Sequence, residues 1–97
     1  MAFPIALQGL TTREAVLDAV YRGSLAFDLG DTKLFESAMT EDAVMDLNGR
    51  VFEGLETISK LHEDISPLDT THFVTNHRID LKDGETRASV TTNFLAQ

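Results

Sequence analysis

The sequence predicts an α+β domain, and three observations predict it. The tetrad Thr11-Thr12-Arg13-Glu14 has capping-box spacing and opens a stretch of helical apolar periodicity. The dipeptides Asn48-Gly49 and Asp83-Gly84 sit between strand-like runs and mark two hairpins. In chain order these signals read α-α-β-β-α-β-β, a mixed pattern of helices and antiparallel hairpins. At 97 residues the chain is one domain, residues 1–97.

The first helix is expected over Thr12 to Leu29. Thr11 is its N-cap, Glu14 closes the box, and Val16, Leu17, Val20, Tyr21, Ala26 and Phe27 recur at helical spacing. Gly30 is placed to end it. Asp31 then caps a short second helix, Thr32 to Met39, with Leu34, Phe35 and Ala38 facing inward. Ala43, Met45 and Leu47 alternate with Val44, Asp46 and Asn48, which is strand spacing. Asn48-Gly49 is a type I′ turn signal, Arg50 to Glu53 the return strand, and Gly54 its break. Leu55 to Asp64 reads as a third helix with Leu55, Ile58, Leu61 and Ile65 on one face, stopped by Ser66-Pro67. A long strand follows over Thr70 to Leu81, a turn over Lys82 to Glu85, and a partner strand over Thr86 to Gln97. The last segment, "TTNFLAQ", has no terminating turn or cap. A sheet edge ending there calls for further residues or a partner chain along it.

The formal charge is −8. That disfavours nucleic acid, which needs a basic face, and an anionic membrane surface. Without cysteine, disulfides, thiolate metal sites and cysteine nucleophiles are excluded. The N-terminal "MAFPIALQGL" lacks a basic n-region, and no run reaches transmembrane length, so a cytoplasmic location is the expectation. No glycine-rich phosphate loop or serine-nucleophile elbow is present.

"TTHFVTNHRIDL", Thr70 to Leu81, carries two histidines and an asparagine inside a strand pattern. By the period of two, His72, Val74 and Asn76 share one face, and Phe73, Thr75, His77, Ile79 and Leu81 the other. A bulge near His77 or Arg78 brings His72, Asn76 and Ile79 onto one concave face. His77 then points the other way, toward solvent or a partner subunit. His62, beside Glu63 and Asp64, reads as a surface residue. With the histidines on different faces no metal site is expected. Asn93, Leu95 and Gln97 alternate onto one face of the last strand as candidate pocket residues. Tyr21 either lines the same pocket or packs.

Three stretches together carry a resemblance: "YRGSLAFDLGD" at the end of the first helix, "LFESAMTEDAVMDLNG" with the following "FEG", and "TTHFVTNHRI". From Thr11 onward the chain resembles the SnoaL-like branch of the NTF2-like superfamily. The resemblance implies a cone of three helices on a curved antiparallel sheet, with further strands after the second hairpin, and a dimer through the outer sheet face. Among the enzymes of that superfamily the chain is similar to the scytalone dehydratases. That similarity places a helix-one aspartate on Asp28, a strand histidine on His72, and a second histidine at or beside Gln97. Two water-handling tyrosines fall on Phe27 and Leu47, where this chain has no hydroxyl.

The expected function is a cofactor-free enzyme acting by proton transfer on a small apolar or polyphenolic metabolite, as an isomerase, cyclase or dehydratase. His72 would be the general acid/base and Asp28 its orienting partner. Asn76 would hold a substrate oxygen; Tyr21, Phe27, Leu47, Val74, Asn93 and Gln97 would complete the substrate site. A binding module without catalysis is the alternative, separable by comparing ligand binding with turnover in a His72→Ala variant. An oligomerisation domain would have no cavity at all.

Overall fold

The computed structural model describes residues 4–65 and 71–97. Its elements are α1 (Thr12–Leu29), α2 (Thr32–Ser37), β1 (Val44–Leu47), β2 (Arg50–Glu53), α3 (Leu55–Ile65), β3 (His72–Lys82) and β4 (Arg87–Ala96). The α+β order is the one expected. The stop at Ser66-Pro67 and the strand start at Thr70 lie outside the described residues.

Local chemistry sets the helix ends. Thr11 Oγ1 accepts the Glu14 N–H at 3.2 Å, and Glu14 Oε1 accepts the Thr11 N–H at 3.0 Å, so two orphan donors of α1 are satisfied reciprocally. Gly30 closes α1 in the left-handed region, φ 65°, where a side chain would be strained. Asp31 stays extended and accepts the Leu34 N–H at 3.0 Å, which starts α2. That helix ends at Ser37, two residues short of Met39, because Ala38 caps it with its N–H already bonded to Phe35 and Glu36 carbonyls.

The core is small: Ala26, Leu34, Phe35 and Ile58, with Phe27, Met39, Ala43, Met45 and Phe52 packed around them. Leu34 and Phe35 are essentially buried, each stabilising by roughly 1.5–3 kcal/mol. His62 joins them. It was expected on the surface, yet it is fully buried, stacked on Phe35 with ring centroids 4.4 Å apart. The reason is helical period: His62 follows Ile58 by four residues and shares its inward face. Its Nε2–H donates to the Ala26 carbonyl at 3.0 Å.

The strands pair as two antiparallel hairpins, β1 with β2 and β3 with β4, in separate two-stranded sheets. Asn48 and Gly49 both have positive φ, 52° and 92°, as a type I′ turn requires. The second turn is longer than the Asp83-Gly84 signal implies. Lys82 pairs with Arg87, so Asp83 to Thr86 forms a four-residue loop.

The strand β3 does contain a bulge, which includes His77 and begins at Asn76. Thr75 pairs with Asn93 and Arg78 with Thr91, leaving Asn76 and His77 opposite Thr92 alone. Asn76 takes the left-handed conformation, φ 58°, which asparagine tolerates better than most residues. The pleat therefore reverses at Asn76–His77. His72, Val74, His77, Ile79 and Leu81 are the shielded residues of β3, and Asn76 is exposed.

Candidate functional site

Between α1, β1 and the inner face of β3–β4 lies a cavity of about 520 Å³. Phe27, Leu47 and Val74 line it, together with Ala19, Val20, Gly23, Met39, Met45 and Phe94; its wall is mostly apolar. His72 opens onto it. The His72 ring lies between Phe27 and Phe94, with centroids at 5.7 and 6.3 Å.

Asp28 stands behind that ring. It is the penultimate residue of α1, at a helix end that disfavours an anion. Two donors from His72 compensate. Asp28 Oδ2 accepts the His72 backbone N–H at 3.0 Å, and Oδ1 lies 2.6 Å from His72 Nδ1. Both side chains are mostly buried, 17% and 18% exposed. A carboxylate can only accept, so Nδ1 carries a hydrogen. The neutral ring then presents a bare Nε2, for which no protein partner occurs among the described residues.

Four expected site residues stand elsewhere. Asn76 is the exposed bulge residue, outside the cavity, because the pleat reverses on it rather than after it. Asn93 pairs with Thr75 and Gln97 bonds to Thr71, which puts both on the outer face with Leu95 and Phe73. Tyr21 is not on the cavity wall either. Its hydroxyl lies 2.9 Å from His77 Nε2, and the two rings meet edge to face. His77, expected to face away, is half-buried on the inner side and contacts Thr92 Oγ1 at 2.9 Å. Thr92 and Ser24 line the cavity and were not singled out from the sequence. The signal was available in Asn76, whose residue type marks a left-handed position and hence the bulge.

A second hollow, between α2 and α3, is walled by Glu36, Glu41, Glu56, Glu63 and Lys60. No three metal-ligating side chains converge among the described residues. No described helix is long and apolar enough to cross a membrane.

The three helices and antiparallel hairpins, with a carboxylate-held imidazole beside an open apolar cavity, define an α+β domain of the NTF2-like class. More narrowly, the chain belongs to the SnoaL-like domain family, whose model matches residues 8–97. It is similar to "Terrestric acid biosynthesis cluster protein E" of Penicillium crustosum, 46% identical over 98 residues. That alignment covers 99% of this chain and 62% of the relative, so the chain spans under two thirds of the relative's length. No solved structure matches it.

Proposed function

We propose that this chain forms the substrate cavity of a secondary-metabolism isomerase or cyclase, with His72 as its general base. The observation that carries the proposal is the Asp28 carboxylate at 2.6 Å from His72 Nδ1, which leaves Nε2 as the basic atom on an apolar wall. Nε2 takes a proton from one atom of the ligand, and the imidazolium formed is stabilised by Asp28. The same nitrogen returns the proton to another atom of that ligand. No electron enters or leaves, so the chemistry asks for no redox partner. A positioned base of this kind accelerates a reaction by roughly 10²–10⁴-fold. Phe27 and Leu47 bring no hydroxyl to the wall, which favours isomerisation or cyclisation over loss of water. The name of the Penicillium relative supports a place in secondary metabolism.

The test is a chimera. The matching segment of the Penicillium protein is replaced by this chain, and terrestric acid is measured in a strain lacking the original. The chimera should restore the product and its His72→Gln form should not. Equal restoration by both would make the histidine structural. The non-catalytic binding module would then be the better reading, and it has one observation of its own: the described cavity wall offers no second group able to give a proton.

A further inference from the structure

Among the described residues, three polar side chains line the cavity: Ser24, His72 and Thr92. Each has its hydrogen committed elsewhere. The Ser24 hydroxyl donates to the Tyr21 carbonyl at 3.1 Å, one turn back on α1. His72 Nδ1–H is held by Asp28. The Thr92 hydroxyl donates to the Thr75 carbonyl at 2.9 Å, across the hairpin.

The Thr92 bond fixes the roles of its neighbours. A threonine has one hydroxyl hydrogen, and that one goes to Thr75. At the contact with His77 the donor must then be Nδ1–H. With that ring neutral, its Nε2 is an acceptor, and the Tyr21 hydroxyl donates to it. The chain runs one way, from Tyr21 through His77 and Thr92 to the Thr75 carbonyl. It uses the one hydrogen and one of the two lone pairs of Thr92, and leaves the other lone pair.

We infer that the cavity is an acceptor-only chamber. It takes an uncharged ligand through the ligand's own O–H hydrogens, as in a phenol, enol or alcohol, and it turns carboxylates away. Tyr21 and His77 act through Thr92 as positioning residues that hold its hydroxyl in the accepting orientation. No lysine, arginine, amide or free hydroxyl hydrogen is on the wall among the described residues, so a carboxylate entering it would lose its hydration without a donor in return. The inference rests on reading the cavity as a small-molecule site, and it adds the chemical class of the occupant.

The test uses three probes of one shape on the purified chain at pH 8: 2-naphthol, 2-methoxynaphthalene and 2-naphthoate, followed by fluorescence titration. The naphthol should bind more tightly than its methyl ether by roughly 2- to 10-fold, the range of one net hydrogen bond, and the naphthoate most weakly. Thr92→Val should shrink the naphthol-to-ether ratio, and Thr92→Ser should keep it. His77→Leu should shrink it by freeing the Thr92 hydroxyl to turn, and His77→Gln, which can both donate and accept, should restore it. Naphthoate binding as tightly as naphthol overturns the inference, and so does a ratio unmoved by Thr92→Val. Either result leaves the role of His72 in product formation standing, because the chimera reads that separately. Failure of all three probes to bind overturns the inference and the cavity reading with it.

Discussion

The placement of the bulge can be tested by stability alone. Asn76 is exposed and sits at φ 58° in the left-handed region, so a substitution there changes backbone strain and almost no packing. A residue with a Cβ costs roughly 1–2 kcal/mol in that conformation, and asparagine offsets part of the cost by local hydrogen bonding. Valine has no such bonding, and its branched Cβ crowds the turn further. Asn76→Val should therefore destabilise by roughly 1–2 kcal/mol. For a domain of this size that lowers the melting temperature by about 4–15 °C. Asn76→Gly should be close to neutral, because glycine reaches positive φ freely but loses more chain entropy on folding. The assay is thermal unfolding followed by circular dichroism on all three proteins. In a straight strand valine is a favoured residue. If Asn76→Val melts at or above the wild type, the pleat does not reverse at Asn76. His77 would then lose its place on the inner face.

Two further outcomes follow from the helices. Arg22 braces α1 against α2, with Nε on Asp18 at 3.0 Å and one terminal nitrogen on the Ser37 carbonyl at 2.7 Å. Arg22→Leu should cost roughly 1.5–3 kcal/mol, the range for hydrogen bonds to a charged group, read by urea unfolding; an unchanged midpoint would show the brace to be idle. The Glu14 carboxyl is held below its ordinary value near 4.5, first by the Thr11 backbone N–H and then by the Thr11 side chain. A carboxyl lowered on folding stabilises fully above its unfolded value and loses that contribution as pH falls through the folded one. The stability gap between wild type and Glu14→Gln should narrow as pH drops below about 4.5; a gap constant down to pH 2.5 contradicts the ionised cap.

The element order could be read from the sequence because caps and turns are local. Thr11 to Glu14, Gly30, Asp31 and Asn48-Gly49 each act within four residues, and each behaves as its type predicts. Which side chains meet in the cavity depends on parity, and one inserted residue reverses parity for the rest of a strand. A bulge near His77 or Arg78 that spares Asn76 sends His77 outward and Asn76 inward; the observed one begins at Asn76. Asn93 and Gln97 failed for a related reason: their face is decided by their partners Thr75 and Thr71, and pairing is not visible in one strand alone. His62 was hidden by its neighbours Glu63 and Asp64, although its spacing of four from Ile58 marks the buried face. The pairing of Asp28 with His72 spans 44 residues, and only the family resemblance pointed to it.

That pairing makes a prediction that does not need the substrate. In Asp28→Asn the carboxylate, both of whose oxygens accept, becomes an amide whose oxygen accepts and whose nitrogen donates. One of its two contacts is the His72 backbone N–H, which can only donate. The amide oxygen must therefore stay on that N–H, and the amide nitrogen must face Nδ1. An N–H facing Nδ1 requires a bare Nδ1, so the ring hydrogen moves to Nε2. The atom on the cavity wall changes from an acceptor to a donor, with almost no change in volume. As a base it is lost, and product formation by the chimera should fall by up to the roughly 10²–10⁴-fold that a general base contributes. At the same time the wall gains a donor where it had none, so the preference for 2-naphthol over 2-naphthoate should narrow. Loss of fold would abolish both readouts together, whereas the tautomer change lowers product formation while naphthoate binding improves. An Asp28→Asn protein that keeps its product and its probe preference would mean that Asp28 does not set the tautomer of His72, and the base would have to be sought elsewhere.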